Sequence, residues 1–163
     1  MTRRPASAVP TLEIKLLLPK EHVVCAVRGA DRRTILRALS APLVEDLTVT
    51  DAEAFLDELA VREEQVTTQI FGGVAFPHAR SQSVRRLALT VGVAAAPGLV
   101  FSPAAPEPCR LFFLIAVPAA APTVHLPLLR YLAAFTRQSG LLSRLLEAQT
   151  PAQIVRLLCT LKP

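Results

Sequence analysis

The chain has 163 residues, a length that suits one compact domain better than two. At 52% hydrophobic and 19% charged it can bury a core, which excludes disorder over most of its length. The net charge of +5 rests on 18 basic residues, 15 of them Arg, scattered rather than clustered, and this argues against a nucleic-acid surface.

Cys25, Cys109 and Cys159 are odd in number and form no CxxC pair, so structural zinc and a closed disulfide framework are not expected. A reducing, cytoplasmic setting fits that usage. Residues 1–10, MTRRPASAVP, hold an Arg pair but no apolar segment of signal-peptide length; they read as a short disordered tail, with a single domain over 11–163. The stretch Leu111 to Leu129 lacks Asp, Glu, Lys and Arg, yet Pro118, Pro122 and Pro127 each remove a backbone donor and His125 would lie in lipid. Membrane insertion is therefore not expected.

Along the chain, LEIKLLL reads as a strand or a short helical turn ending at Pro19, and HVVCAVR reads as a strand. Asp31 is a candidate N-cap for the helix RRTILRALSAPLVED, which buries Ile35, Leu36 and Leu39, and Leu43 if it survives Pro42. Thr50 and Glu53 form a candidate capping box for DAEAFLDELAVREEQ, with Phe55, Leu56, Leu59 and Val66 facing inward. A loop at Phe71-Gly72-Gly73 leads through a short apolar run to Pro77-His78. LALTVGVAA and LFFLIAV are buried strands. The last third is helical: His125 to Gln138, a break at Gly140, LLSRLLEA, then a helix with Thr150 at the N-cap and Pro151 at its first position. Strands alternating with helices give an α/β class.

The segment that offers chemistry is GGVAFPHAR, residues 72–80. A proline fixes the backbone directly before His78, which presents an imidazole with little freedom. On these residues alone His78 is a structural loop histidine, a base, a metal ligand or a nucleophile. No Cys or carboxylate falls at metal-ligand spacing from it, and no GxSxG or Cys–His pair suggests a hydrolase. Phosphoryl chemistry remains: a nucleophilic imidazole needs positive charge or donors nearby. Arg62 and Arg80 lie in the right part of the chain, and His125 opens a helix whose N-terminus favours an anion.

Here the residues resemble the IIA domains of the bacterial phosphoenolpyruvate-dependent sugar phosphotransferase system, of the fructose–mannitol class, which includes the nitrogen-regulatory IIA proteins. The resemblance rests on Arg62-Glu63 ending a helix, Thr68 some six residues on, the apolar-Ala-apolar-Pro-His run ending at His78, the strand CRLFFLIAVP, His125 in HLPLL, and LLEAQTPAQIVRLL. It covers roughly residues 12 to 160. It implies a mixed β-sheet flanked by helices on both sides. It implies that His78 accepts a phosphoryl group on Nε2 from the phosphocarrier HPr or a nitrogen-system homologue of it. His125 would hydrogen-bond that group or orient His78, Arg62 would stabilise its charge, and Thr68 would supply a supporting polar contact. No cofactor or metal is implied. In sugar-transporting members the group passes to a cysteine of a IIB domain. In regulatory members the phosphorylation state governs binding to other proteins, such as a sensor kinase or transporter. The chain has the size of a stand-alone regulatory IIA protein, which favours regulation over sugar uptake. Gln69 and Phe71 stand where the family carries glycines, so a protein-binding module that has lost phosphotransfer is the competing reading. Glu63 reads as part of a solvated helix end.

Overall fold

The computed structural model describes residues 13–105 and 107–160, and the expected tail over 1–10 lies outside the described residues. Helix α1 (Ile14–Leu17) takes up LEIKLLL and stops before Pro19; a 3-10 turn and strand β1 (Val23–Val24) follow. Only these two residues of HVVCAVR pair as a strand, in parallel with β5 (Ala88–Val93). The chain bulges out at Cys25, which is exposed, and returns at Val27, whose amide donates to the Val93 carbonyl of β5 at 3.0 Å. His22 is buried, held between the Leu89 carbonyl at 3.2 Å and the Asp46 carboxylate at 2.8 Å.

Helix α2 (Arg32–Glu45) starts at the expected cap. The Asp31 side chain accepts from the Thr34 amide, and Thr34 completes a capping box. The helix carries through Pro42 and buries Leu43. Helix α3 (Ala52–Gln65) is capped differently from the expectation. Asp51, not Thr50, accepts from the Ala54 amide, while Thr50 donates to the Ser83 carbonyl. Glu53 is drawn instead to Arg33 and Arg37 on α2. Val66 ends α3 exposed, because the chain turns away there toward β2 (Gln69–Ile70).

The sheet is mixed, in the order β1, β5, β6 (Leu111–Pro118), β3 (Val74–Ala75), β2, with β4 (His78–Ser81) also paired to β6. Strands β3 and β4 run parallel to β6 one after the other along the same edge. They are interrupted at Phe76-Pro77. Proline has no amide proton to give a ladder, but its carbonyl accepts from Ile115 at 2.9 Å, so pairing resumes at once. His78 therefore opens a strand instead of closing one.

Strand β6 is buried over Leu111–Val117 and supplies both faces of the sheet. Leu111, Phe113, Ile115 and Val117 pack into a cluster with Leu128, Leu132 and Phe135 of α4 (Leu126–Thr136), Leu145 of α5 (Ser139–Glu147) and Ile154 of α6 (Pro151–Leu158). Phe112, Leu114 and Ala116 pack into another with Leu36 and Leu39 of α2 and Phe55 and Leu59 of α3. The period of two along a strand makes this division automatic, and each such large side chain contributes on the order of 1.5–3 kcal/mol. Helices thus cover both faces, as the family resemblance implies. In the C-terminal third the break falls at Arg137-Gln138, and Gly140 lies inside α5. Among the described residues no helix is long and apolar enough to cross a membrane.

Gly92 shows how tightly α2 sits on the sheet. A Cβ there would meet Leu39 Cδ2 at 2.3 Å and Val27 Cγ2 at 2.6 Å, and both side chains are buried. Gly92→Ala is expected to destabilise the fold by about 1–3 kcal/mol through overpacking, read as a lower urea midpoint with an unchanged slope. A midpoint equal to wild type would show that this contact yields freely.

Candidate functional site

The backbone at Phe76-Pro77 sets the first imidazole. A residue before proline is confined to extended conformations, and proline fixes its own φ. His78 therefore emerges half-buried at the sheet edge with its ring folded back on the preceding dipeptide. Its Nδ1 lies 2.8 Å from the Phe76 carbonyl oxygen. A carbonyl can only accept, so Nδ1 carries the proton and Nε2 is left with a free lone pair.

His125 stands at the start of α4, just before Leu126-Pro127, and its side chain makes no capping bond. The two rings lie 5.5 Å apart, centroid to centroid, tilted by 34°. His125 is only 3% exposed, and its Nδ1 is buried with no hydrogen-bond partner. The site therefore holds unspent hydrogen-bonding capacity beside His78.

Helix α3 packs against β4 and brings in the cation. Arg62 lies in its last turn and donates from Nη1 to the Val66 carbonyl at 2.8 Å. An open cleft of about 570 Å³ is lined by Asp57, Glu58, Arg62, His78, Arg80 and His125, among others. An adjoining depression of about 530 Å³ shares Arg62 and His78 and adds Thr68, Arg130 and Arg137. Arg62 and His78 thus stand on the ridge between the two hollows.

Burial pushes the His78 imidazole below its ordinary value of 6.5, and the positive charges of Arg62 and Arg80 push the same way; the bond to Phe76 and the charge of Glu63 oppose them. Burial likewise lowers His125, helped by His78 and Arg80. Both rings are neutral at neutral pH, so the lone pair on His78 is available.

The predicted residues fall into two sets. His78, His125, Arg62 and Arg80 converge on one cleft. Thr68 lines the neighbouring hollow, but its hydroxyl and amide both donate to Glu63. Glu63 is only 3% exposed, which corrects its reading as a solvated end. The signal lay in the two threonines that follow it four and five residues on, since both donate to its carboxylate. The glycine replacements cause no backbone conflict. Among the described residues positive φ falls at Leu47, Gly72, Gly73 and Gly98, not at Gln69 or Phe71. Gln69 is buried and donates to the Glu107 carbonyl at 2.8 Å, while Phe71 is 88% exposed. The Cys109 thiol is buried and pushed up to about 12, which makes it a packing group. Among the described residues no cluster of three or more His, Cys, Asp or Glu is arranged to hold a metal ion.

Residues 16–160 match the family described as phosphoenolpyruvate-dependent sugar phosphotransferase system, EIIA 2. A fructose-specific EIIA component from Haloferax volcanii is 31% identical over 139 residues, covering 85% of this chain and 89% of that one. A nitrogen regulatory protein from Pseudomonas aeruginosa is 29% identical over 136 residues, covering 83% of this chain and 87% of its own. The crystal structure of nitrogen regulatory protein IIA-Ntr from Neisseria meningitidis superposes with a TM-score of 0.79 at 23% identity, covering 89% of this chain and 98% of that one, and so shares the fold.

A pH titration followed by NMR checks the electrostatics. The ring resonances of His78 and His125 should both show midpoints below 6.5, the ordinary value. Acidification through those midpoints should remove the free lone pair. A His78 midpoint above 6.5 would contradict the assignment of burial and Arg62 as the dominant influences.

Proposed function

The chain belongs to the phosphoenolpyruvate-dependent sugar phosphotransferase system EIIA 2 family, and we propose on that premise that it is a phosphohistidine carrier whose acceptor is Nε2 of His78. The donor is HPr or a nitrogen-system homologue of it, and the setting is cytoplasmic. The observation that carries this reading is the 2.8 Å bond from His78 Nδ1 to the Phe76 carbonyl. It holds the proton on one ring nitrogen and leaves the other as the nucleophile in the cleft.

In the transfer step the Nε2 lone pair forms a bond to phosphorus while the bond from phosphorus to the donor's leaving atom breaks. Nδ1 keeps its proton throughout, so His78 needs no base. Charge gathers on the phosphoryl oxygens, and a fixed cation is the group that stabilises it. Arg62 takes that role, with Arg80 adding positive potential from β4, a reading supported by both residues lining the cleft with His78. His125 supplies a hydrogen bond to a phosphoryl oxygen or holds the ring of His78, using the capacity its environment leaves unspent. Thr68 acts at one remove, through the turn it anchors.

We take the carrier to serve regulation, its phosphorylation state governing binding to a protein such as a sensor kinase or transporter. The fructose-specific relative supports a second reading, in which the group passes on to a IIB cysteine. The two readings share every step up to phospho-His78.

Purified protein incubated with phosphoenolpyruvate, enzyme I and HPr should take up one phosphoryl group, and His78→Ala should take up none. His125→Ala and Arg62→Ala should label more slowly, by roughly 10²–10³-fold for loss of a charge-stabilising donor. Normal labelling of His78→Ala would refute the acceptor. Passage of the label to a IIB cysteine would decide for sugar transport over regulation.

A further inference from the structure

We propose that Glu63 is the positioning residue of this site: through Thr68 and Phe76 it holds His78 in its reactive tautomer, and through the same turn it holds Arg62 beside that ring. The inference rests on His78 being the acceptor, and it gives a task to a buried carboxylate that the transfer step itself does not use.

Glu63 is in an unfavourable place. It sits in the last turn of α3, where the helix dipole already presents negative charge, and it is 3% exposed. A buried carboxylate there needs donors, and the turn after the helix provides them. The Thr68 amide donates to Oε2 at 3.0 Å, the Thr68 hydroxyl donates to Oε1, and the Thr67 hydroxyl reaches Oε2 at 3.5 Å.

From Thr68 the connection runs straight to the imidazole. The Thr68 carbonyl accepts from the Phe76 amide at 3.2 Å. The Phe76 carbonyl accepts from His78 Nδ1 at 2.8 Å. Carboxylate, Thr68, Phe76 and imidazole are thus joined residue by residue: Glu63 fixes Thr68 through its N–H, the Thr68 C=O fixes Phe76, and the Phe76 C=O fixes the ring, so the link acts by holding backbone position. The same turn contains Val66, whose carbonyl anchors Arg62 at 2.8 Å. Releasing Glu63 frees both the acceptor that sets the tautomer and the acceptor that sets the guanidinium. The charges of Arg62 and Arg80 lower His78 and that of Glu63 raises it, while Asp57, Glu58 and His125 share its cleft and Arg130 and Arg137 line the adjoining hollow.

The test uses the full chain, 15N-labelled at histidine, as wild type, Glu63→Gln, Glu63→Asp and Thr68→Val. In Glu63→Gln the Nδ1–H tautomer of His78 should lose its dominance and the His78 titration midpoint should fall. Transfer from phosphorylated HPr should drop in kcat by roughly 10–100-fold with little change in KM, as expected for misplacement of reacting groups. Glu63→Asp should recover part of the tautomer preference. Thr68→Val keeps the charge and the backbone bond but loses the hydroxyl, so it should weaken the tautomer preference while leaving the midpoint near wild type. Should Glu63→Gln fail to fold, Thr68→Val decides by its tautomer. Folded variants with wild-type tautomer, midpoint and rate would overturn the proposal and leave Glu63 a purely structural group. The NMR readings need no donor. A wild-type chain that accepts no phosphoryl group would therefore defeat the carrier reading, while the tautomer of His78 in the variants would still judge Glu63.

Discussion

One hydrogen bond organises the site: the donation from His78 Nδ1 to the carbonyl two residues earlier. It is short-range, so it depends on the backbone between its ends, and that backbone is Phe76-Pro77. Proline confines both residues at once, which is why the ring can fold back on the chain with little competing freedom. The same proline interrupts the strand ladder without abandoning it, because its carbonyl remains an acceptor for Ile115. The imidazole is consequently fixed at the sheet edge by covalent geometry on one side and by β6 on the other.

Around that ring the sheet does the assembly. Strand β6 offers alternate side chains to two layers of helices, and both layers deliver partners to His78. Helix α3 arrives on the face that holds Phe55, Leu56 and Leu59 and brings Arg62 and Glu63. Helix α4 arrives on the face that holds Leu128, Leu132 and Phe135 and brings His125 at its first turn. The burial that stabilises each layer is the same burial that lowers the proton affinity of both imidazoles. Packing and reactivity are in this sense one arrangement seen at two distances.

The elements that the sequence announces correctly are those with a strong local cause. Asp31 and Thr150 each meet their own helix three residues on, and both caps form as the spacing predicts. LALTVGVAA and LFFLIAV are strands because a run of buried β-formers has little else to become. The misreadings share a different origin. Thr50 and Asp51 are both good caps, and the choice between them was made by a distant carbonyl at Ser83 and by two arginines on α2 that claim Glu53. Val66 continues the apolar period of α3 but lies where the chain must leave for the sheet. Glu63 carries the look of a surface charge, and only the fold of the following turn reveals its donors. The convergence of His78, His125 and Arg62 on one cleft was legible through the family motif and that of Arg80 through its place two residues after His78, whereas the link between Glu63 and the His78 ring runs through backbone groups that no side-chain pattern records.

One ring belongs to the sheet edge and the other to a helix that covers one face of it, 47 positions apart in the chain by subtraction of 78 from 125. The chain up to Pro118, which completes the sheet, contains His78 but not His125. The pair comes into being only when the last third closes over the remaining face. A form that lacks the last third therefore keeps His78 at the sheet edge without the ring that faces it at 5.5 Å.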